Sequence, residues 1–252
     1  AYIMNYNYDW LNEFSYIEFP KIRDHDPEII CAGGMLTPDY LLSAYSQGIF
    51  PWYNDNQPIL WWSLDPRYVL FPEKLHVSKT MRKLLKKTQY TRTVDKAFPD
   101  VIHACATMYR PGQDGTWINP DMMEAYIRLH ALGFAHSVEL WDGNSLVGGL
   151  YGVSLGNMFF GESMFSLVDD ASKLSFIPFV WRLIDEGFFL IDCQMETHHL
   201  ASLGGESIPR RVYLDILRRA LAAPTRRGNW NKLWGNYPQS STWNKFFNSQ
   251  SL

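Results

Sequence analysis

Two carboxylates and an amide, each following an apolar run, are the side chains of this sequence best suited to chemistry. Asp192 and Gln194 follow the run Phe188–Ile191. In an extended strand alternate side chains share a face, so these two are predicted to point together while Cys193 points away. Glu162 follows another apolar stretch. A carboxylate in a buried strand is costly unless it is paired or used, so we predict that one sheet brings all three to one cleft.

This set of side chains is suited to orienting an amine and stabilising charge rather than to covalent catalysis. The sequence has no Gly-x-Ser-x-Gly nucleophile elbow, and a cysteine nucleophile is not expected because Cys193 should face away from Asp192. His198 and His199 are interpreted as ending the strand and anchoring a loop. The alternatives are structural, with Asp192 capping a turn and Glu162 capping a helix.

Composition excludes several classes of protein. The chain has 252 residues, 46% of them hydrophobic, which predicts one large or two modest domains. A net charge of −3 argues against a general polyanion binder. Three widely spaced cysteines without metal-ligand spacing argue against a disulfide scaffold and structural zinc. Because no signal peptide or long apolar stretch is evident, we expect a cytoplasmic protein with no membrane partner.

The order of the predicted elements is α+β. Helices are predicted from Thr37 to Gly48, over 78–88, over 120–132, from about 170 to 184 and over 209–221. A β-meander is predicted over 137–161, with the Asp192 strand beside it. The tail after Pro224 is predicted to be a loop.

One segment is unusually basic. Seven Lys or Arg and no acidic residue lie between Lys74 and Arg92. An amphipathic helix there would expose most of these charges, which predicts phosphate contacts, with an ordinary solvated surface as the alternative. The aromatic content suits either a core or stacking on a purine. The basic positions predicted to contact RNA are Lys79, Arg82, Lys83, Lys86 and Lys87.

Several blocks of sequence, taken together, resemble one family, the bacterial leucyl/phenylalanyl-tRNA–protein transferases. They occur in that family's order across roughly 19–220. The blocks are Gly48-Ile-Phe-Pro-Trp52, Pro58-Ile-Leu-Trp-Trp-Ser63, Asp65-Pro-Arg67, Gly115-Thr-Trp-Ile118, Gly161-Glu-Ser-Met-Phe-Ser166, Leu190-Ile-Asp-Cys-Gln194, Ala201-Ser-Leu-Gly204 and Ile208-Pro-Arg-Arg211.

The resemblance implies a fold, a reaction and its partners. The fold would be a small N-terminal α+β domain, at residues 1–75, followed by a domain similar to the GCN5-related acyltransferases, at 76–252. The reaction would transfer Leu or Phe, and Met less well, from aminoacyl-tRNA to proteins with N-terminal Arg or Lys, marking them for N-end-rule degradation. Because the donor is an activated ester, no metal, ATP or other cofactor is expected. A monomer is expected.

The resemblance also implies roles for single residues. Asp192 and Gln194 would be the catalytic pair, with Glu162 nearby. Trp52 and Trp117 would hold the terminal adenosine. The residues that would line the aminoacyl pocket are Phe159, Phe179 and Ile191.

Three positions depart from the family pattern. Met35 stands where the family has Asp, Leu64 replaces a Pro, and Leu167 replaces an Arg.

Two other functions stay open. One alternative is an acetyl-CoA-dependent N-acetyltransferase, although no pyrophosphate-binding loop precedes the helix at 172–184. The other is a non-catalytic protein that binds tRNA or degrons.

Overall fold

The computed structural model describes residues 7–86, 89–108 and 118–248. Within these residues the chain forms two sheets with helices packed around them. The strands are β1 (Ile29–Ala32), β2 (Phe50–Pro51), β3 (Leu60–Trp62), β4 (Arg67–Leu70), β5 (Tyr90–Val94), β6 (Ala135–Asp142), β7 (Ser145–Leu155), β8 (Met158–Ser166), β9 (Leu190–Gln194) and β10 (Glu206–Ile208).

The larger sheet positions the functional side chains. Its strand order is β10-β4-β9-β8-β7-β6-β5, and β1-β3-β2 form a separate sheet. β8 and β9 run parallel, whereas the other neighbours are antiparallel. The predicted α+β class is confirmed, and so is the predicted place of the Asp192 strand beside the meander. β4 belongs to this sheet although it precedes residue 76, and the domain boundary itself stays a prediction.

Helices cover both faces of the larger sheet and enclose two apolar clusters. α1, α3, α4 and α7 contribute to one cluster, and α2, α5 and α8 contribute to the other, with α9 packed against it. The helices are α1 (Pro38–Ser46), α2 (Lys79–Leu85), α3 (Phe98–Thr107), α4 (Pro120–Ala131), α5 (Ala171–Asp185), α6 (His198–Ser202), α7 (Arg210–Ala220), α8 (Trp230–Trp234) and α9 (Ser241–Asn248).

The prediction of a loop after Pro224 is wrong, because α8 and α9 lie there. Trp230 is fully buried, and its ring stacks on His136 with the ring centres 3.5 Å apart. The Asn229 side chain caps α8 by accepting a hydrogen bond from Lys232 N. The buried Trp230 and Trp234 hold this polar segment against the body of the protein. None of the described helices is both long and apolar enough to cross a bilayer.

Candidate active site between two diverging strands

The main feature of the candidate site is a cavity of about 600 Å³ between β8 and β9. The two strands pair in parallel only as far as Phe160 and Asp192 and then separate. The residues that follow on each strand line the cavity from both sides. Because the separation leaves room without opening the rest of the sheet, the fold supplies a site whose walls are fixed by strand pairing behind it.

Two of the polar side chains that face the cavity, those of Glu162 and Gln194, lie at irregularities in their strands. Glu162 has no partner on β7, since the neighbouring Gly161 and Ser163 take the pairing positions on either side. On β9, Cys193 is the extra residue opposite β4, and Gln194 adopts a left-handed backbone with φ of 63°. Bulges of this kind redirect side chains, and here they bring Glu162 and Gln194 to the same cavity.

These irregularities correct the prediction for Asp192. Ile191, Cys193 and Gln194 all line the cavity, whereas Asp192 lies on the opposite side of the strand. The predicted alternation holds for Ile191, Asp192 and Cys193 and fails at Gln194, because the positive φ turns that residue away from the face of Asp192. Asp192 is therefore behind the wall of the site rather than in it.

Asp192 is fully buried, and its two carboxylate oxygens accept four hydrogen bonds. Oδ1 accepts from Arg67 Nε at 2.9 Å and from the backbone N–H of Gln194 at 2.9 Å. Oδ2 accepts from Arg67 Nη2 at 2.7 Å and from the Tyr213 hydroxyl at 2.9 Å. A buried charge needs this degree of pairing. The arrangement ties the backbone of Gln194 to a fixed ion pair.

Arg67 is held as firmly as its carboxylate partner. Its guanidinium lies over the rings of Tyr213 and Phe50, 4.4 and 4.9 Å from their centres, and donates to the Gly48 carbonyl at 3.2 Å. Gly48 has φ of +77°, and a side chain there would collide with Leu214. The turn after α1 therefore requires glycine and delivers a backbone acceptor to the arginine.

Glu162 lies in a network of hydroxyl groups. The Tyr45 hydroxyl donates to Glu162 Oε1 at 2.5 Å and also contacts the Tyr126 hydroxyl. Gln194 Nε2 donates to the same Glu162 oxygen at 3.3 Å. Burial, reinforced by the negative charge of Asp192, raises the pKa of Glu162 to about 8. The carboxyl is therefore mostly protonated at neutral pH and would ionise beside a bound cation.

Apolar side chains form much of the cavity wall. Phe159 and Ile191 line it, as predicted for an aminoacyl pocket. Phe179 does not: its ring packs behind Phe159, with the centres 4.9 Å apart, because it belongs to the buried side of α5. The other apolar side chains of the wall include Leu150, Met164, Phe165, Phe176 and Leu200.

Trp52 lines the cavity at the end near β2. Its carbonyl accepts a hydrogen bond from Trp62 Nε1 at 2.6 Å, and the centres of the two rings lie 5.3 Å apart. Trp61 is instead buried in the core and donates from Nε1 to the Gly33 carbonyl. The predicted partner of Trp52, Trp117, lies outside the described residues.

His199, predicted from the sequence to anchor a loop, lines the cavity. Its Nε2 is buried and has no hydrogen-bond partner within the part of the chain that the structure describes. Burial, with a smaller effect of the Lys173 charge, lowers the pKa of His199 to about 4, so the ring is neutral at physiological pH. Cys193 also lines the cavity, but burial raises the pKa of its thiol far above the ordinary value. A thiolate nucleophile is therefore not favoured.

The basic segment forms α2, an amphipathic helix as predicted. Met81 and Leu85 are buried, and the Ser78 side chain caps the helix by accepting from Met81 N. Lys87 lies outside the described residues. The exposed cations on and next to α2 are Lys79, Arg82, Lys83 and Lys86.

Comparison with known proteins gives two matching family models. The model for leucyl/phenylalanyl-tRNA protein transferase matches residues 69–218, and the model for the N-terminal domain of that transferase matches 34–65. A leucyl/phenylalanyl-tRNA–protein transferase of Anaeromyxobacter sp. (strain Fw109-5) is 52% identical over 223 residues, which are 88% of this chain and 95% of that protein. That of Maridesulfovibrio salexigens is 53% identical over 222 residues, 87% and 92% of the two chains.

Solved structures give weaker likenesses. A GCN5-related N-acetyltransferase from Kribbella flavida overlaps 68% of this chain and 60% of its own, with a TM-score of 0.34 and 13% identity. L-PGS from Bacillus licheniformis overlaps 66% and 55%, with a TM-score of 0.37 and 10% identity.

The family is shown by sequence. One model covers more than half of the chain, and relatives with over half of their aligned residues identical span most of it. The protein is a member of the leucyl/phenylalanyl-tRNA protein transferase family and hence an aminoacyltransferase.

Proposed function

We propose that this protein transfers Leu or Phe, and Met less well, from aminoacyl-tRNA to the α-amine of proteins that begin with Arg or Lys. This modification would mark the acceptor for N-end-rule degradation. The observation that carries the proposal is the cavity between β8 and β9, in which an apolar wall meets the amide of Gln194 and the carboxyl of Glu162. Family membership supports the same reaction over the acetyltransferase and binding-protein alternatives.

The proposed reaction exchanges an ester for an amide. The neutral α-amine of the acceptor attacks the ester carbonyl carbon, the bond from that carbon to the ribose oxygen breaks, and the amine loses one proton while the ribose oxygen gains one. An α-amine with a pKa of about 7.7–8.0 is mostly protonated at pH 7. A group that holds the amine and accepts its hydrogen bond therefore helps both deprotonation and alignment.

Gln194 is the proposed acceptor of that hydrogen bond. Its Nε2 is directed to Glu162, which leaves the carbonyl oxygen of the amide for an N–H of the attacking amine. The backbone N–H of Gln194 is fixed by Asp192. Asp192 itself is proposed to act as a positioning residue, since both of its oxygens are occupied by hydrogen bonds inside the protein. Direct proton abstraction by Asp192 is not part of the proposal.

Glu162 is proposed to receive the positive charge of the acceptor. Its carboxyl is mostly protonated in the free protein because its pKa is about 8. A guanidinium or ammonium group beside it would favour the ionised form, so acceptor binding at pH 7 should release close to one proton. Isothermal titration with an Arg-initiated peptide in two buffers of different ionisation enthalpy measures this release. Equal heats in the two buffers would argue against the assignment.

The apolar wall is proposed to select the transferred residue. Burial of a side chain stabilises binding by about 0.8 kcal/mol per CH₂ group, which favours Leu and Phe over Ala but separates similar side chains poorly. Phe159 and Ile191 would contact the aminoacyl group and Trp52 the terminal adenosine, while the exposed cations of α2 would contact tRNA phosphates.

The test is transfer of radiolabelled leucine from leucyl-tRNA to a peptide. Peptides that begin with Arg, Lys and Gly, otherwise identical, are compared with an Arg peptide whose α-amine is acetylated. Label should enter the Arg and Lys peptides and neither of the other two. Equal labelling of the Gly peptide would refute the acceptor specificity, and absence of label from every peptide would refute the function.

A further inference from the structure

Arg82 and Lys86, on and next to α2, contact aromatic rings of α9. Two other surface cations that lie over rings also contact a carboxylate, in Lys74–Glu206 at 2.5 Å and Arg227–Glu13 at 2.5 Å. The Arg82 guanidinium lies 5.5 Å from the centre of the Phe246 ring, and Lys86 Nζ lies 5.9 Å from that of Phe247.

A third cation, Arg92, also contacts a ring of α9. Arg92 is 8% exposed, and its guanidinium is 5.7 Å from the centre of the Trp243 ring of α9. Its Nε donates to the Leu174 carbonyl, and its Nη2 is buried without a hydrogen-bond partner among the described residues. Neither Arg82 nor Arg92 forms an ion pair with a carboxylate within the described part of the chain.

The choice of partner matters for the surface charge. A carboxylate orders a cation but cancels its charge, whereas an aromatic ring attracts and orders it through the ring quadrupole and leaves the charge in place. α9 carries Lys245 and no acidic residue, and no acidic residue lies between Lys74 and Arg92. The two helices therefore contribute cations and no carboxylate of their own, a composition that suits contact with a polyanion.

We propose that α2 and α9 together form the binding surface for the phosphate backbone of the aminoacyl-tRNA, with the rings of Phe246 and Phe247 positioning Arg82 and Lys86. The proposal deepens the proposed function and rests on it. α9 lies beyond residue 218, where the match of the longer family model ends. The helix would thus be an RNA-contacting element that the matched part of the family does not supply.

The position of α9 on α5 agrees with this role. Ser172 near the start of α5 lines the cavity, and Asp185 at its end accepts hydrogen bonds from the backbone and side chain of Thr242 in α9. At about 1.5 Å per residue the two ends of α5 are about 20 Å apart. A stacked nucleic-acid strand covers that distance in about six nucleotides, so one RNA end can reach the cavity while its stem contacts α2 and α9.

The test compares the wild-type protein with a Phe246→Leu/Phe247→Leu variant. Leucine keeps apolar packing against Trp181, which lies 4.5 Å from the Phe246 ring, but removes the ring quadrupole. The Kd for leucyl-tRNA should rise about three- to tenfold at 50 mM salt, and the slope of log Kd against log salt should become shallower by about one. A Phe246→Trp/Phe247→Trp variant keeps a ring at each position and should therefore show the wild-type Kd and the wild-type salt slope. In both variants kcat and the KM for the acceptor peptide should stay within about twofold of the wild type.

The matched control is Phe14→Leu. It removes a similar contact, since the Arg227 guanidinium lies 5.9 Å from the Phe14 ring, but that cation is already paired with Glu13. Its Kd and salt slope should equal those of the wild type. An unchanged slope in the α9 variant would overturn the proposal, and so would tighter binding, which would mean that α9 covers the surface. Failure of the wild type to bind or use leucyl-tRNA would instead refute the proposed function.

Discussion

Replacing Glu162 by Gln should change how the stability of the protein depends on pH. Burial raises the pKa of Glu162 from 4.5 to about 8. Folding therefore takes up a proton at this carboxyl between those two values. The contribution of Glu162 to stability is fully present below pH 4.5 and is lost as the pH rises through 8, where the carboxylate must be buried in its charged form. The neutral amide of the Glu162→Gln variant has no charge to bury.

The difference between the two pKa values corresponds to a change of about 5 kcal/mol at most in the free energy of unfolding. Glu162 lines a cavity that admits water, so screening reduces the cost, and we expect about 2–3 kcal/mol. The free energy of unfolding of Glu162→Gln, relative to the wild type, should rise by that amount between pH 5 and pH 9.

Urea unfolding at pH 5, 7 and 9 measures this difference, with the m value checked for constancy. Tyr45→Phe provides a second test. Because the Tyr45 hydroxyl donates to the Glu162 carboxylate and lowers its pKa, loss of the hydroxyl should shift the pH dependence of stability that Glu162 causes to higher pH. A difference between Glu162→Gln and the wild type that stays constant from pH 5 to pH 9 would refute the reasoning.

Three further substitutions test the parts of the fold that hold the site. Arg67→Met leaves the carboxylate of Asp192 buried without its cation, so the free energy of unfolding in urea should fall by about 3–5 kcal/mol; a loss below about 1 kcal/mol would contradict the burial of the pair. Trp230→Ala removes a fully buried ring, and calorimetry should show a loss of about 3–5 kcal/mol; unchanged stability would mean that α8 does not hold the tail. Met164→Ala enlarges the cavity, so the ratio of kcat/KM for phenylalanyl-tRNA to that for leucyl-tRNA should rise about tenfold; a fall would place the acyl group elsewhere.

Periodicity and turn residues predicted the helices α1, α2, α4, α5 and α7, the meander and β9, whereas α3 and the strands β1–β5 were not predicted. Pro38 after Thr37 marked the start of α1, and Gly48 marked the turn beyond its end. The β-rich segments between 137 and 161, separated by glycine-containing turns at 142–144 and 155–157, marked the meander. The tail was missed because α8 and α9 are short and carry polar residues, and their stability comes from the contacts of Trp230, Trp234 and Trp243 rather than from a local pattern.

The sequence predicted which residue types form the site, but it did not predict the direction in which the Asp192 side chain points. Glu162 and Gln194 were correctly expected to share a cleft. A strict two-residue alternation put Asp192 there as well, because a bulge and a positive φ leave no clear mark in a sequence. The bidentate partner of Asp192, Arg67, lies 125 residues away in the chain, a pairing that only the strand order reveals.

The proposed reaction depends on Gln194 acting at the reacting amine, and single-turnover peptide-bond formation tests that most directly. Wild-type protein and Gln194→Ala are each saturated with leucyl-tRNA and an Arg-initiated peptide, and the product is followed by mass spectrometry. The variant should form the bond at least about a hundredfold more slowly, since it loses the proposed hydrogen-bond acceptor, and its Kd for leucyl-tRNA should be unchanged. Bond formation by the variant at the wild-type rate would contradict this role of Gln194.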